Sequence, residues 1–227
     1  MHKIATLFLA AFPLFGGFFP PTVQSAVSSV SGKQITLTKP FPINGMSGVI
    51  VHTYNDSLPT MTHRIAQTST EGKAKLIETD IIHHESLPNI KTEALVGDKV
   101  VGGYLYDNVL VLAPDAQTYS KITSQYEKTW IHPDLYALFL TKEGDSVPTK
   151  ENLAKFADMY QVGLVCIVRK ETAILLDPIS GKIVGQQTLG QTPAQGQFPF
   201  FMHFEEIKSG WFDSEEKGNY YQIMESI

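Results

Sequence analysis

The segment GVIVHTY, residues 48–54, has the two-residue period of a β-strand, and this period indicates the fold of the first half of the chain. Side chains of an extended strand alternate between two faces, so Val49, Val51 and Thr53 would face one way and their neighbours the other. Similar short segments, with turn signals between them, continue from residue 33 to residue 112, and no helical period interrupts them. This pattern predicts a small β-barrel or sandwich.

Two hairpins can be predicted within this region. His63–Thr68 and Ala74–Thr79 flank a turn that contains an acidic residue followed by glycine, as is typical of a hairpin. Lys99–Tyr106 and Val109–Leu112 are separated by two residues, which predicts a second hairpin with a short loop. Gly102-Gly103 within the first of these strands predicts a bulge or a sharp bend.

After Pro114 the apolar residues change to a helical spacing, and strand-like segments follow them. Three amphipathic helices are predicted on the stripes Tyr119, Ile122 and Tyr126; Leu135, Leu138 and Phe139; and Leu153, Phe156, Ala157 and Tyr160. The predicted strands are Leu164–Val168, Thr172–Leu176, Lys182–Gln187, Phe198–Phe204 and Tyr220–Met224. The sequence therefore predicts an α+β fold. A β-rich, barrel-like unit spans residues 30–113, and a unit of three helices and an antiparallel sheet spans residues 114–227.

The first residues have the features of a secretory leader. Lys3 supplies a positive start and Ile4–Phe12 an apolar run, and small residues precede Ala26. The pattern predicts a signal peptide over residues 1–25, cut between Ser25 and Ala26. The alternative is a membrane anchor, but prolines and glycines interrupt the run before it reaches the roughly 20 apolar residues that a spanning helix needs. We therefore expect an exported protein whose mature chain has no transmembrane helix.

The composition excludes some classes of partner. Charged residues make up 18% of the 227 residues, and the net charge is -5, so no basic surface for nucleic acid is expected. Cys166 is the only cysteine and lies in an apolar strand-like run, which favours a core position over a reactive thiol.

The segment TWIHPDLY, residues 129–136, places an imidazole and a carboxylate close together in sequence. Pro133 is favoured in the first turn of a helix, and Asp134 complements the positive end of the helix dipole. His132 then stands at the cap position. Because residues two apart on a helix point in different directions, we predict a structural role for this segment and no catalytic pair.

A second group of polar residues is Asp80–Glu85, with the sequence DIIHHE. Its side chains are of types that bind zinc or copper, but His83 and His84 would point to opposite faces of a strand. No metal-binding spacing completes the set. The sequence thus predicts no catalytic residue, no metal site and no cofactor, although residues distant in sequence could still meet in space.

Several segments occur in an order that is more specific than any one of them. They are GMSGVIVHTYN (residues 45–55), VGDKVVGGYLYDNVLVLAPD (96–115), WIHPDLYALFL (130–140), VGLVCIVRKETAILLD (162–177) and PFFMHFEEI (199–207), followed by Gly210-Trp211. Together they resemble the N-terminal domain of the plasminogen-binding proteins of Helicobacter and related Epsilonproteobacteria. The resemblance implies a protein of the periplasm, outer membrane or cell surface that captures host plasminogen without chemistry of its own.

The resemblance also bears on how plasminogen would be held. Kringle modules take up lysine side chains, and the longer family members carry a lysine-rich tail with a terminal lysine. This sequence ends at Glu225-Ser226-Ile227 instead. The internal candidates are Lys208 and Lys217. The alternative function is a periplasmic scaffold or an accessory component of an envelope machine, which would bind other envelope proteins through surfaces such as Phe198–Phe204.

Overall fold

A computed structural model describes residues 17–55, 57–78, 92–204 and 218–227. Within them the backbone forms eleven strands and four helices. The strands are β1 (Val23–Ser31), β2 (Gln34–Leu37), β3 (Ser47–Tyr54), β4 (Leu58–Gln67), β5 (Lys73–Glu78), β6 (Lys99–Gly102), β7 (Asn108–Leu112), β8 (Thr129–Ile131), β9 (Leu164–Arg169), β10 (Thr172–Asp177) and β11 (Lys182–Thr188). The helices are α1 (Ala116–Gln125), α2 (Pro133–Glu143), α3 (Lys150–Tyr160) and α4 (Tyr220–Ser226). None of these helices has the length and apolar character needed to cross a membrane.

The first six strands close into a barrel in the order β1-β2-β5-β4-β3-β6. Every pair of neighbours in it is antiparallel. Ile50 of β3 is fully buried in the core, whereas Thr53 near the end of the same strand is exposed. The barrel-like fold of the first half and the hairpin of β4 and β5 are therefore confirmed.

Two glycines explain how the barrel closes beside β6. Gly48 of β3 lies opposite Gly102 of β6, and a Cβ on Gly48 would stand 2.6 Å from the carbonyl oxygen of Val101. A Cβ on Gly102 would stand 2.7 Å from the ring of Phe41. The glycine pair thus allows the Phe41 ring to lie against the strands. Gly103 follows with φ 65°, so the predicted sharp bend is present, at the end of β6.

The remaining strands form a second sheet in the order β11-β10-β9-β7-β8. It is mixed, because β7 runs parallel to both β8 and β9, so the prediction of an antiparallel sheet was wrong in this respect. The predicted hairpin between Lys99–Tyr106 and Val109–Leu112 was also wrong. β6 closes the barrel, whereas β7 belongs to the second sheet.

The three predicted helices are confirmed as α1, α2 and α3, and side chains cap all three. Thr149 forms a capping box with Asn152, and Gly144 ends α2 in the left-handed conformation. Two strand predictions near the end of the chain were wrong. The described residues of Phe198–Phe204 form no strand, and Tyr220–Met224 belongs to α4. The Tyr220 hydroxyl donates to carbonyl oxygens of β7 and β9, which fixes the start of α4 against the second sheet.

The second sheet lies between two apolar clusters, so barrel and helices share it. Along β9, the side chains of Leu164, Cys166 and Val168 belong to the cluster that contains the barrel core. Val165 and Ile167 belong to the cluster formed with α2, α3 and α4. Cys166 is fully buried, and burial raises the pKa of its thiol to about 12, which confirms its prediction as a core residue.

Asp177, the last residue of β10, joins the second sheet to the barrel. Its side chain is buried, and Oδ2 accepts hydrogen bonds from the Ser47 amide at 2.8 Å and the Tyr106 hydroxyl at 2.7 Å. Oδ1 accepts from the amides of Ile179 and Ser180. Burial and the charge of Asp177 raise the pKa of Tyr106 far above its usual value, so the phenol remains a donor. Four donors facing one carboxylate satisfy an ionised group.

Candidate functional site

His132, Asp134 and His203 meet on the surface at the amino-terminal end of α2. One ligand atom of each residue lies within 4.8 Å of the others. The Nδ1 atoms of His132 and His203 are 3.2 Å and 3.0 Å from Asp134 Oδ2. Within the described part of the chain, this is the group of three ionisable side chains whose spacing suits a metal ion.

The local sequence explains the position of His132. It is the N-cap of α2, with φ −68° and ψ 138°, and its Nδ1 accepts the Asp134 amide at 3.2 Å. Pro133 occupies the first turn, so the predicted cap is confirmed. The prediction that the His132 and Asp134 side chains diverge was wrong. That argument applies to two helical residues, whereas the cap residue has an extended backbone that turns its ring toward the carboxylate.

His203 completes the cluster from the segment that follows β11. Its backbone N–H donates to Asp134 Oδ1 at 2.9 Å, and its ring stacks on His132 with centroids 4.6 Å apart and planes 12° apart. Asp134 and His203 are separated by 69 residues in sequence. Sequence reasoning missed His203 because no spacing rule links residues so distant, and the apolar run before it predicted a strand.

Aromatic side chains enclose the inner side of this cluster. The ring of Tyr119 lies 5.2 Å from His132, and the ring of Phe201 lies 5.3 Å from His203. Burial lowers the pKa of His132, while the charge of Asp134 opposes that change. Burial and Asp134 raise the pKa of Tyr119. These shifts favour a neutral His132 imidazole beside a neutral Tyr119 phenol.

The other residues considered from sequence do not join this cluster. Ser25 and Ala26, the predicted cleavage position, lie inside β1, where they pair with Val100 and Lys99 of β6. Lys208, Lys217 and the segment Asp80–Glu85 lie outside the described residues. Phe200 and Phe201 are buried, so these two members of the run considered as a docking surface serve the core.

A second histidine–aspartate group lies at the barrel. His52 Nδ1 is 2.7 Å from Asp98 Oδ1, and Asp98 Oδ2 accepts the Leu95 amide at 2.8 Å. His63 on β4 is 2% exposed, and its Nδ1 lies 2.8 Å from the Thr62 hydroxyl oxygen. Burial lowers the pKa of His63, and the charge of Asp98 opposes that change. This group therefore keeps one imidazole neutral within the barrel wall.

We expect His63 to make stability depend on pH. Its folded pKa lies below the unfolded value of about 6.5, so the unfolded chain binds more protons between the two values. The free energy of unfolding should then fall as the pH drops below about 6.5, with a slope of at most about 1.4 kcal/mol per pH unit for one proton. Urea unfolding between pH 7 and pH 5 measures this slope. Equal slopes for the wild type and His63→Gln would contradict the assignment.

An open cleft of about 470 Å³ lies between the barrel and the second sheet. Among the described residues that line it, the titratable ones are Lys75 of β5 and Lys182 of β11, and the polar remainder includes Asn44, Gln67 and Ser180. Two ammonium groups without a carboxylate, imidazole or thiol beside them do not make an acid–base pair. The described lining of the cleft therefore contains no acid–base pair.

The described residues define a class of α+β protein in which a closed six-stranded barrel shares its core with a mixed sheet covered by helices. The chain belongs to the family described as "Plasminogen-binding protein pgbA N-terminal", whose model matches residues 22–227. The family resemblance found in the sequence is thereby confirmed. The match begins within one residue of β1 and includes the barrel, the second sheet and the four helices.

Two curated relatives are similar to the chain. Both are named Plasminogen-binding protein PgbA, from Helicobacter pylori strains J99 (ATCC 700824) and 26695 (ATCC 700392), and each is 25% identical over 169 residues. The aligned region covers 72% of this chain and 37% of each relative, so the chain spans little more than a third of their length. No solved structure matches the chain significantly. The relatives are named as binding proteins and not as enzymes.

Proposed function

We propose that this chain is an exported, non-catalytic binding protein of the cell envelope or surface and that its partner is host plasminogen. The supporting observation is the match to the plasminogen-binding family over residues 22–227, which includes the barrel and the second sheet together. Because both sheets contribute to one apolar cluster, we take them as a single binding body. The leader-like residues 1–25 support export to the periplasm, outer membrane or cell surface.

The chemistry of such binding centres on exposed lysine. Lys208 and Lys217 are the proposed handles, and Glu206 and Glu216 stand near them in sequence. A lysine-binding module that pairs an ammonium and a carboxylate needs both charges within reach. The two lysines meet the sequence part of this requirement, since each has an acidic residue within two positions.

We expect the purified chain to bind immobilised plasminogen and a free lysine analogue to displace it. The double variant Lys208→Ala and Lys217→Ala should lose most of this binding. The matched control is Lys73→Ala with Lys155→Ala, which removes two lysines of the described part that are 63% and 55% exposed in surface ion pairs. Surface plasmon resonance on immobilised plasminogen gives the affinities. The control should bind like the wild type, because surface ion pairs contribute little to stability.

The outcomes test the two proposed lysines and the proposed partner independently. If both double variants bind equally and the lysine analogue still competes, the handle is wrong and another lysine serves. If the wild-type chain does not bind, plasminogen is not the partner of this chain. The alternative scaffold function then applies, and co-purification from fractionated cells should yield an envelope protein.

A further inference from the structure

We propose that His132, Asp134 and His203 bind a first-row divalent metal ion, with Zn²⁺ the ion that best suits their donor atoms. This inference does not depend on plasminogen binding. It rests on the donor set, on the way the carboxylate is oriented, and on a contact between two acceptor atoms that a cation would resolve.

The donor set is two imidazoles and one carboxylate. Imidazole nitrogen suits zinc, copper, nickel and iron, whereas calcium and magnesium prefer sites built from oxygen alone. Bonds from zinc to nitrogen and oxygen are about 2.0–2.2 Å long, so ligand atoms of one site stand up to roughly 4 Å apart. The three donor atoms lie within 4.8 Å of one another, and the His203 side chain is 66% exposed. Because the lone pair of an imidazole lies in its ring plane, the exposed His203 ring must turn out of its stack on His132 to direct a nitrogen at the same ion.

The carboxylate of Asp134 is already oriented as a metal ligand needs to be. Oδ1 accepts the backbone N–H of His203, which leaves Oδ2 directed toward both imidazoles. Metal-binding carboxylates are commonly fixed in this way by a hydrogen bond to the oxygen that does not face the ion. The backbone contact also holds His203 next to Asp134 and His132, so the third ligand stays close to the first two.

One contact in the cluster is unfavourable without a cation. His132 Nδ1 accepts the Asp134 amide proton, so this nitrogen carries a lone pair and no hydrogen. The same nitrogen lies 3.2 Å from Asp134 Oδ2, which also has only lone pairs to offer when ionised. His203 can donate one proton to Oδ2, but that proton does not lie between Oδ2 and His132. A metal ion bound to both atoms replaces this repulsion with attraction. It takes the single Nδ1 lone pair, so the 3.2 Å hydrogen bond from the Asp134 amide is lost when the ion binds.

The position of the site at a helix end affects how much each ligand contributes to metal binding. The amino-terminal end of α2 carries a partial positive charge, which opposes a bare cation. The charge of Asp134 is therefore needed to hold the ion, and we expect its loss to be the most damaging. The side chains of Asp134 and His132 are 23% and 33% exposed, so an ion can enter from solvent. Three protein ligands leave one tetrahedral position for water, as in other open zinc sites.

Zinc titration of the chelator-treated full chain, with a chromophoric chelator as competitor, tests the proposal. We expect one Zn²⁺ per chain, no competition from Mg²⁺, and a higher unfolding temperature with zinc. Asp134→Asn and His203→Asn should each weaken binding at least tenfold. His132→Asn should do the same while keeping a good N-cap residue, so its circular dichroism spectrum should match the wild type.

The matched control is the double variant His83→Gln and His84→Gln, which removes two adjacent histidines that are not part of the proposed site. We expect it to bind zinc like the wild type. The proposal is overturned if the wild type binds no zinc at micromolar concentration, or if the His83 and His84 variant loses binding while Asp134→Asn and His203→Asn retain it. An unchanged unfolding temperature with zinc in a chain that binds one equivalent would also contradict it, because an ion that binds only the folded state must stabilise that state.

Discussion

Replacing Asp177 with alanine should lower the free energy of unfolding by about 4 kcal/mol, because it leaves buried donors without an acceptor. The Ser47 amide and the Tyr106 hydroxyl both donate to Oδ2, and all three residues are less than 5% exposed. Each buried donor that loses its acceptor costs about 1–3 kcal/mol. The effect should be large because the carboxylate connects the barrel to the second sheet. Urea unfolding followed by circular dichroism measures the difference.

Tyr106→Phe is the matched control for this prediction. It removes one donor and leaves the carboxylate with the amides of Ser47, Ile179 and Ser180. The expected loss is about 1.5–3 kcal/mol, the usual net value of one hydrogen bond to a charged group. A loss below 1 kcal/mol for Asp177→Ala, or an equal loss for both variants, would show that the carboxylate does not join the two sheets as described.

The periodic elements of this fold could be predicted because their signal is local. The alternation in residues 48–54 predicted β3, and the helical stripe that contains Leu153 and Phe156 predicted α3. For α2 the stripe indicated the helix but not its buried face. Leu138 is 51% exposed, whereas Tyr136 is fully buried.

The errors occurred where tertiary contacts decide the structure. β7 has the continuous apolar character of a strand buried on both faces, and nothing local shows that its neighbours are the parallel strands β8 and β9. The start of α4 has one local signal, the N-cap Asn219, which the prediction of a strand overlooked. The hydrogen bonds of the Tyr220 hydroxyl to carbonyl oxygens of the second sheet have no local signal.

The candidate metal site could likewise be predicted only in part from the sequence. The cap position of His132 and the place of Asp134 in the first turn follow from Pro133 and from helix electrostatics. His203 comes from a distant loop, and the approach of His132 to Asp134 depends on the extended backbone of the cap residue. Sequence reasoning could therefore place two of the three ligands on the helix end without showing that they meet.

The second large loss of stability is expected when the residues before Ala26 are removed. Val23, Gln24 and Ser25 pair with Gly102, Val101 and Val100 of β6, and this pairing closes the barrel. Phe18 and Phe19 pack against the apolar cluster shared by the two sheets, and the Phe19 ring lies 4.9 Å from the ring of Tyr126. The predicted leader thus overlaps a part of the chain that stabilises the barrel.

A chain that begins at Ala26 should therefore be less stable than one that begins at Gly17. Three strand residues and two partly buried phenylalanines amount to about 4 kcal/mol, from roughly 1 kcal/mol per strand hydrogen bond and part of the 1.5–3 kcal/mol of a fully buried side chain. At roughly 2–4 °C per kcal/mol for a chain of this size, the unfolding temperature should fall by about 10 °C. Calorimetry of the two chains makes the comparison, and equal unfolding temperatures would show that β1 contributes nothing before Ala26. If the leader is cut between Ser25 and Ala26, the exported protein should have this lower stability. The intact mass of the exported protein shows whether the cut falls there or nearer the start of the chain.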